Sequence, residues 1–167
     1  MKRSYVFPIL LISIGVILLI NQFDLLDFTP AYVIILGALV IGGLMLHKAF
    51  LSETKHGLLG GSFYILLALT LLSVNFGLLP VYDTLIWGLI ITHLGIANFI
   101  YYIFTRKSFK NVTFGIIFLA IGLPFVFVYF TTVDMWDIAD VFDSYWPLLL
   151  ITAGFGFLLD GMFKKVK

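Results

Sequence analysis

The sequence predicts an all-α membrane protein with six transmembrane helices, arranged as three helical hairpins that repeat in parallel, with both termini in the cytoplasm. Three observations predict this fold: the composition, the length of the apolar runs and the distribution of lysine and arginine. Of the 167 residues, 62% are hydrophobic and only 11% are charged, whereas soluble domains carry about 25% charged residues. A soluble fold of this size could not bury so much apolar surface, so the surrounding solvent must be lipid.

Six apolar stretches follow one another along the chain, and a helix needs about 20 apolar residues to cross the hydrocarbon core. Backbone polar groups in hydrocarbon must be paired within the segment, and the runs are too long for barrel strands, so each is predicted as a helix. The first stretch resembles a signal peptide, but it is too long and lacks a small-residue cleavage site, so we predict a retained span. The six spans are predicted at residues 4–23, 29–46, 57–76, 84–104, 111–131 and 145–163.

All ten lysine and arginine residues lie on one side of the predicted membrane. They occupy the N-terminus, the second and fourth connections and the C-terminus, whereas Asp24, Asp27 and Asp83 lie in connections on the opposite side. Cytoplasmic loops of membrane proteins carry an excess of lysine and arginine. Both termini are therefore predicted to be cytoplasmic, and the lipid bilayer is the first predicted partner.

The six spans align as three copies of a two-helix unit, predicted at residues 1–55, 56–108 and 109–167. The second helix of each unit begins with an aromatic residue at the outer interface, where amphipathic rings are favoured. A small residue, which lets helices approach closely, follows ten positions later in each copy. Pro147 is predicted in the first turn of its helix, where its missing N–H is not needed. The aligned pairs are Tyr32 with Gly42, Trp87 with Ala97, and Trp146 with Gly156.

These motifs resemble the bacterial LiaI–LiaF-like transmembrane region. The likeness is carried by "LLINQFDLL", "NFGLLP" and "YWPLLLITAGFGFLL", and it covers nearly the whole chain as three units. The resemblance implies a protein of the bacterial cytoplasmic membrane that senses or damps cell-envelope stress. It also implies a partner such as a sensor histidine kinase.

Four aspartates spaced by three residues lie in an acidic outer loop predicted at 131–144: Asp134, Asp137, Asp140 and Asp143. On an α-helix, steps of three spread the carboxylates over more than one face, whereas a hard cation needs convergent oxygens. We therefore predict an amphipathic segment at the outer surface without a metal. Trp136, Ile138 and Phe142 should point towards lipid or the helix ends. The alternative is a site for a divalent cation.

His93 and Asn98 lie deep in the fourth predicted span, and polar groups at membrane depth are functional candidates. His93 can change charge near neutral pH, but no acidic residue is predicted at the same depth. We predict a hydrogen-bonded structural role for His93, with a transport pathway as the alternative. Asp160, near the cytoplasmic end of the last span, is expected to pair with nearby lysines. Pro124 should kink the fifth span.

No residue pattern for catalysis is present. The sequence contains no cysteine, no Walker loop, no H-E-x-x-H and no G-x-S-x-G. Its net charge of +1 and lack of a basic stripe argue against nucleic acid as a partner. We therefore predict a non-enzymatic membrane protein without a cofactor. The resemblance to the LiaI–LiaF-like region implies that it is a scaffold or modulator of envelope-stress signalling, which contacts another membrane protein or a second copy of itself. The alternative is a small transporter or channel that uses the polar residues of the fourth span.

Overall fold

The computed structural model describes residues 30–106, 108–131 and 135–164, together with Ile12 and Gly15. In this part of the chain it is all-helical, and each helix is long and apolar enough to cross a membrane. These findings confirm the predicted all-α class and are compatible with a membrane protein. The predicted first span at residues 4–23 lies outside the described residues, apart from Ile12 and Gly15. The helices are α1 (Pro30–Leu51), α2 (Leu58–Asn75), α3 (Asp83–Thr105), α4 (Phe109–Phe130) and α5 (Met135–Lys164).

Left-handed backbone conformations interrupt the chain between helices. Arg106, with φ 46°, follows α3, and Gly77, with φ 69°, follows α2. Gly57, with φ 98°, directly precedes α2. A residue in this conformation cannot continue a right-handed helix, and glycine adopts it without steric cost. Gly57 therefore has a conformational role in a turn.

The charges divide the ends of the helices into two sides. We call the side with connections 52–57 and 106–108 the basic side, because Lys48, Lys55 and Arg106 lie there. We call the side where α2 and α4 end and where α3 and α5 begin the acidic side, because Asp83 and Asp140 lie there. Neighbouring helices run in opposite directions between these two sides.

Helix α1 extends five residues beyond its predicted end, so His47 and Lys48 belong to the helix. Lys48 lies in the last turn, where a positive charge is favoured by the helix dipole. The extended end also has a partner, because the ring of Phe50 contacts that of Phe104 edge-to-face at 5.7 Å. The connection between α1 and α2 therefore contains only residues 52–57.

Helix α5 begins ten residues before the predicted start of the last span. Its 30 residues correspond to about 45 Å, the thickness of a bilayer with its headgroup regions. Residues 135–144 of the predicted acidic loop are thus the first part of α5 and not a separate surface helix. The predicted place of Pro147 in the first turn is wrong, because it lies twelve residues after Met135. Pro147 lacks an N–H, so the carbonyl of Asp143 loses its usual helical donor.

The helices pack in chain order, most closely between α3 and α4 and between α1 and α2. The contacts of α2 with α3 and of α4 with α5 are fewer. The predicted units 56–108 and 109–167 would instead pair α2 with α3 and α4 with α5. The structure therefore does not support the predicted three-hairpin repeat. The physical reason lies in the positions of small residues, which permit the closest approach across the boundaries of those units.

Candidate functional site

The closest helix contact depends on four glycines, and we call it the α3–α4 seam. Gly88 and Gly95 are seven residues apart on α3, and Gly115 and Gly122 are seven apart on α4. A Cβ atom built on Gly95 would lie 3.0 Å from the carbonyl oxygen of Gly115. One built on Gly122 would lie 2.9 Å from the carbonyl oxygen of Gly88. The two backbones therefore touch at both levels, and the seam has no room for a side chain there.

His93 connects α3 to α2 on the side away from this seam. Its Nε2 atom lies 3.3 Å from the hydroxyl oxygen of Thr70, a hydrogen-bonding distance, and both side chains are buried. The Nδ1 atom of His93 is buried and has no hydrogen-bond partner among the described residues. His93 thus makes a polar link between two spans in the middle of the molecule.

Asn98 is buried on α3, but it does not form a site with His93. Its side-chain amide donates a hydrogen bond of 2.8 Å to the carbonyl oxygen of Leu94 in its own helix. Residues five positions apart point about 140° away from each other on an α-helix. The two polar candidates of the fourth predicted span therefore lie on different faces.

The remaining buried hydroxyls of the described residues bond within their own helices. Ser62 donates to the carbonyl oxygen of Leu58 at 2.8 Å. Thr92 donates to that of Gly88 at 2.7 Å, and Thr113 makes the same kind of bond one turn back. Serine and threonine satisfy their hydroxyls locally in this way without needing another helix. In the described ranges these hydroxyls do not join His93 in a polar path.

Asp160 lies at the basic side and is only 3% exposed. The hydroxyl of Ser108 donates a hydrogen bond of 2.6 Å to its Oδ1 atom. The ammonium nitrogen of Lys110 lies 3.9 Å from its Oδ2 atom, so the predicted pairing with a lysine is confirmed. Lys110 also lies 5.4 Å from the centre of the Phe157 ring. These contacts fasten the end of α5 to the first turn of α4, where the helix dipole favours a negative charge.

The carboxylates of the predicted acidic loop, 131–144, do not converge on a common point in the part of the loop that the structure describes. Asp140 and Asp143 are both exposed, while Asp134 and the side chain of Asp137 lie outside the described residues, as does the side chain of Ile138. The described residues contain no group of three or more histidines and acids that could hold a metal ion. Trp136 is 81% exposed. Phe142 instead contacts the ring of Phe125 on α4, at 6.5 Å between centres.

Some contact residues were predicted and others were missed. Gly42 and Gly156 were aligned as small contact positions, and each faces a neighbouring helix at close range. The seam glycines were not recognised together, although their spacing of seven residues on two successive spans was a usable signal. Thr70 was missed as the partner of His93, since nothing in the local sequence marks it.

Comparisons with models of protein families, with curated proteins and with solved structures find no match to this chain. The likeness to the LiaI–LiaF-like region therefore rests on the short motifs quoted above. The function has to be inferred from those motifs and from the geometry of the helices.

Proposed function

We propose that the chain is a non-enzymatic scaffold of the bacterial cytoplasmic membrane that modulates envelope-stress signalling through helix contacts in the bilayer. In this proposal the chain crosses the membrane six times, and both termini are cytoplasmic. The side of the membrane is inferred from the ten lysines and arginines, and the signalling role from the LiaI–LiaF-like motifs.

One structural observation carries the scaffold part of this proposal. Most of the buried polar side chains in the described ranges bond to carbonyls of their own helix, as Ser62, Thr92 and Asn98 do. A transport pathway would need polar groups from several spans to converge near the middle of the membrane. The α3–α4 seam instead brings two backbones into contact, which supports a closed core.

The surface for a partner is best provided by α5. Its apolar side chains Ile151, Phe155 and Leu158 are all more than 60% exposed, and they recur at helical spacing on one face. A partner helix could pack there by van der Waals contact, as helices do in membranes. A sensor kinase or a second copy of the chain would each provide such a helix.

The test compares an α5 variant with a matched variant on α1. A bacterial strain that lacks the chain should show altered activity of an envelope-stress promoter, and the wild-type chain should restore it. Ile151→Ala with Leu158→Ala should fail to restore it at equal membrane abundance. Ile34→Ala with Val40→Ala, which changes two residues of α1 that are 61% and 43% exposed, should succeed. If deletion leaves the promoter unchanged, the signalling role is wrong.

A small transporter or channel is the second candidate, and the unpartnered Nδ1 atom of His93 favours it. A buried imidazole with a free nitrogen can pass a proton if water reaches it. Purified protein in vesicles loaded with a pH-sensitive dye tests this function. Proton flux that is lost in His93→Phe and kept in Ser73→Ala would favour transport over the scaffold, and equal background flux in all three would exclude a proton pathway through His93.

A further inference from the structure

His93 lies near the middle of the predicted membrane, in the contact between α2 and α3. It comes ten residues after Asp83, where α3 begins, which is about 15 Å along the helix axis. That distance is half the thickness of the hydrocarbon core, which is about 30 Å. Only 7% of His93 is exposed, and Ala97, one turn further along α3, is fully buried. The imidazole is therefore enclosed by helices.

The hydroxyl of Thr70 forms the link from α2 to this imidazole. Its oxygen lies 3.3 Å from the Nε2 atom of His93, whereas the hydroxyls of Ser62 and Thr92 bond to carbonyls of their own helices. A neutral imidazole has one donor nitrogen and one acceptor nitrogen, and a hydroxyl can both donate and accept. The link at Nε2 is therefore satisfied by either neutral tautomer of the ring.

The same arrangement does not suit a protonated ring. Both nitrogens of an imidazolium donate, and the hydroxyl of Thr70 can accept only from Nε2. The Nδ1 atom is buried and has no hydrogen-bond partner among the described residues, so a proton added there would meet no acceptor. A buried donor without a partner and a buried charge without a counter-charge both cost free energy. Protonation of His93 therefore opposes the closed contact between α2 and α3.

No counter-charge for an imidazolium faces His93 from the described helices packed around it. Helix α2 carries no charged side chain, and the one charged residue of α4 is the cation Lys110, which would repel a second positive charge. Asp83 is the only acid on α3 and lies at its far acidic end. Besides His93, the titratable and charged residues of α2, α3 and α4 are Tyr64, Asp83, Tyr101, Tyr102, Lys110 and Tyr129.

We propose that His93 makes the contact between α2 and α3 sensitive to pH: the contact is closed while the ring is neutral, and uptake of one proton at Nδ1 loosens it. These two helices share fewer contacts than α1 with α2 or α3 with α4, so the cost of a buried imidazolium acts on one of the weaker contacts of the molecule. The proposal concerns the stability of a helix contact. It depends neither on the signalling role nor on transport of a proton across the membrane.

The direction of the effect follows from proton binding. An ordinary imidazole takes up a proton near pH 6.5. Above this pH the ring is neutral in the open and the closed state, so the equilibrium between them does not depend on pH. Below it the open state, in which water reaches the ring, binds more protons than the closed state, and stability falls.

Unfolding of the purified chain in detergent, measured from pH 8 to pH 5, tests the proposal. For each pH unit below about 6.5, the ratio of unfolded to folded chain should rise up to about tenfold more in wild type than in His93→Phe. His93→Gln should behave like His93→Phe, and it replaces that variant if the phenylalanine does not fold. The control is His47→Gln with His56→Gln, which removes the other two histidines of the chain, both exposed. This control should keep the wild-type pH profile.

Distances between spin labels show where the chain loosens, and the absence of cysteine from the sequence lets labels be placed at chosen residues. Leu69→Cys with Ile103→Cys spans α2 and α3, and Ile103→Cys with Phe127→Cys spans the α3–α4 seam. All three side chains are at least half exposed. Between pH 8 and pH 5.5 the first distance should increase and the second should not. In His93→Phe neither distance should change.

Parallel pH profiles of wild type and the His93 variants would overturn the proposal. An α2–α3 distance that does not respond to pH would overturn it too, since acid would then destabilise the chain elsewhere. Loss of the pH response in the His47→Gln with His56→Gln control would place the sensitive group in the connection between α1 and α2 and would also contradict the proposal.

Discussion

The α3–α4 seam and the contact between α4 and α5 are built differently, although both join neighbouring antiparallel helices. In an 18-residue apolar stretch of α3, 33% of the residues are buried, whereas only 6% are buried in the corresponding stretch of α5. The seam brings backbones together at two glycine pairs along its length. Helix α5 instead contacts α4 near Phe142 and near Gly156, and an apolar cavity lies between these two contacts.

The difference shows what holds helices together when the solvent is as apolar as their side chains. Burying leucine gains little in lipid, so close packing over small residues supplies the attraction. Glycines at equivalent levels of α3 and α4 allow that packing. On α5, Gly154 and Gly161 have the same spacing of seven residues, but among the described residues no atom of another helix lies within 4 Å of a Cβ built on either. Instead of glycine contacts, the polar contacts of Asp160 with Ser108 and Lys110 hold α5 against α4.

The largest effect is expected from Gly95→Leu, which breaks the seam. Its Cβ would lie 3.0 Å from the carbonyl oxygen of Gly115, and overpacking of a tight interior costs about 1–3 kcal/mol or more. The control is Gly154→Leu on α5, where no atom of another described helix lies within 4 Å of the added Cβ. The control should be neutral or slightly stabilising, because glycine in a helix costs about 1 kcal/mol relative to better helix formers. Thermal unfolding in detergent measures both, and equal stability of the two variants would remove the basis of the comparison.

The second effect is expected from Asp160→Ala, which releases the end of α5. It removes the acceptor of the Ser108 hydroxyl and the partner of Lys110. A buried hydrogen bond to a charged group contributes about 1.5–3 kcal/mol, so stability should fall by that order. Asp143→Ala changes an exposed carboxylate and should shift stability by less than about 0.5 kcal/mol. In limited proteolysis, the first cleavage site of Asp160→Ala should also lie closer to the C-terminus than the first cleavage site of wild type. A cleavage pattern identical to that of wild type would show that Asp160 does not hold this end.

Much of the fold was predictable from the apolar runs of the sequence. The ends of α2, α3 and α4 fall within two residues of the predicted spans at 57–76, 84–104 and 111–131. The start of α5 was not predictable, since Pro147 resembles a first-turn proline and the aspartates resemble a surface segment. Helix pairing was also missed. The chain has 15 glycines, and small residues permit several pairings whose energies the local sequence does not rank.

The candidate site was predictable only in part. The depth of His93 follows from its place within an apolar run, so its burial could be expected. Its partner could not, because Thr70 lies 23 residues earlier and its position opposite His93 depends on how α2 and α3 rotate about their axes. The pairing of Asp160 needed only a nearby lysine on the same side of the membrane, which the charge distribution supplied.

The smallest effect is expected at the link between α2 and α3. Hydrogen bonds between membrane helices contribute about 0.6 kcal/mol on average and up to about 1.7 kcal/mol. His93→Phe and Thr70→Val should each cost about that much, and the double variant should cost less than the sum. Ser73→Ala, an exposed residue that bonds within its own helix, is the control. Fully additive losses in the double-mutant cycle would mean that the two side chains do not interact.

Hydrogen–deuterium exchange of the wild-type chain in detergent, followed by mass spectrometry, tests the contrast between seam and periphery most directly. Local opening exposes the least stably packed elements first. Peptides from α3 and α4 around the four seam glycines should exchange last. Peptides of α5 between Tyr145 and Ala153, next to the cavity and Pro147, should exchange markedly earlier. Protection of α5 equal to that of α3 would contradict a closed core with a loosely held last helix.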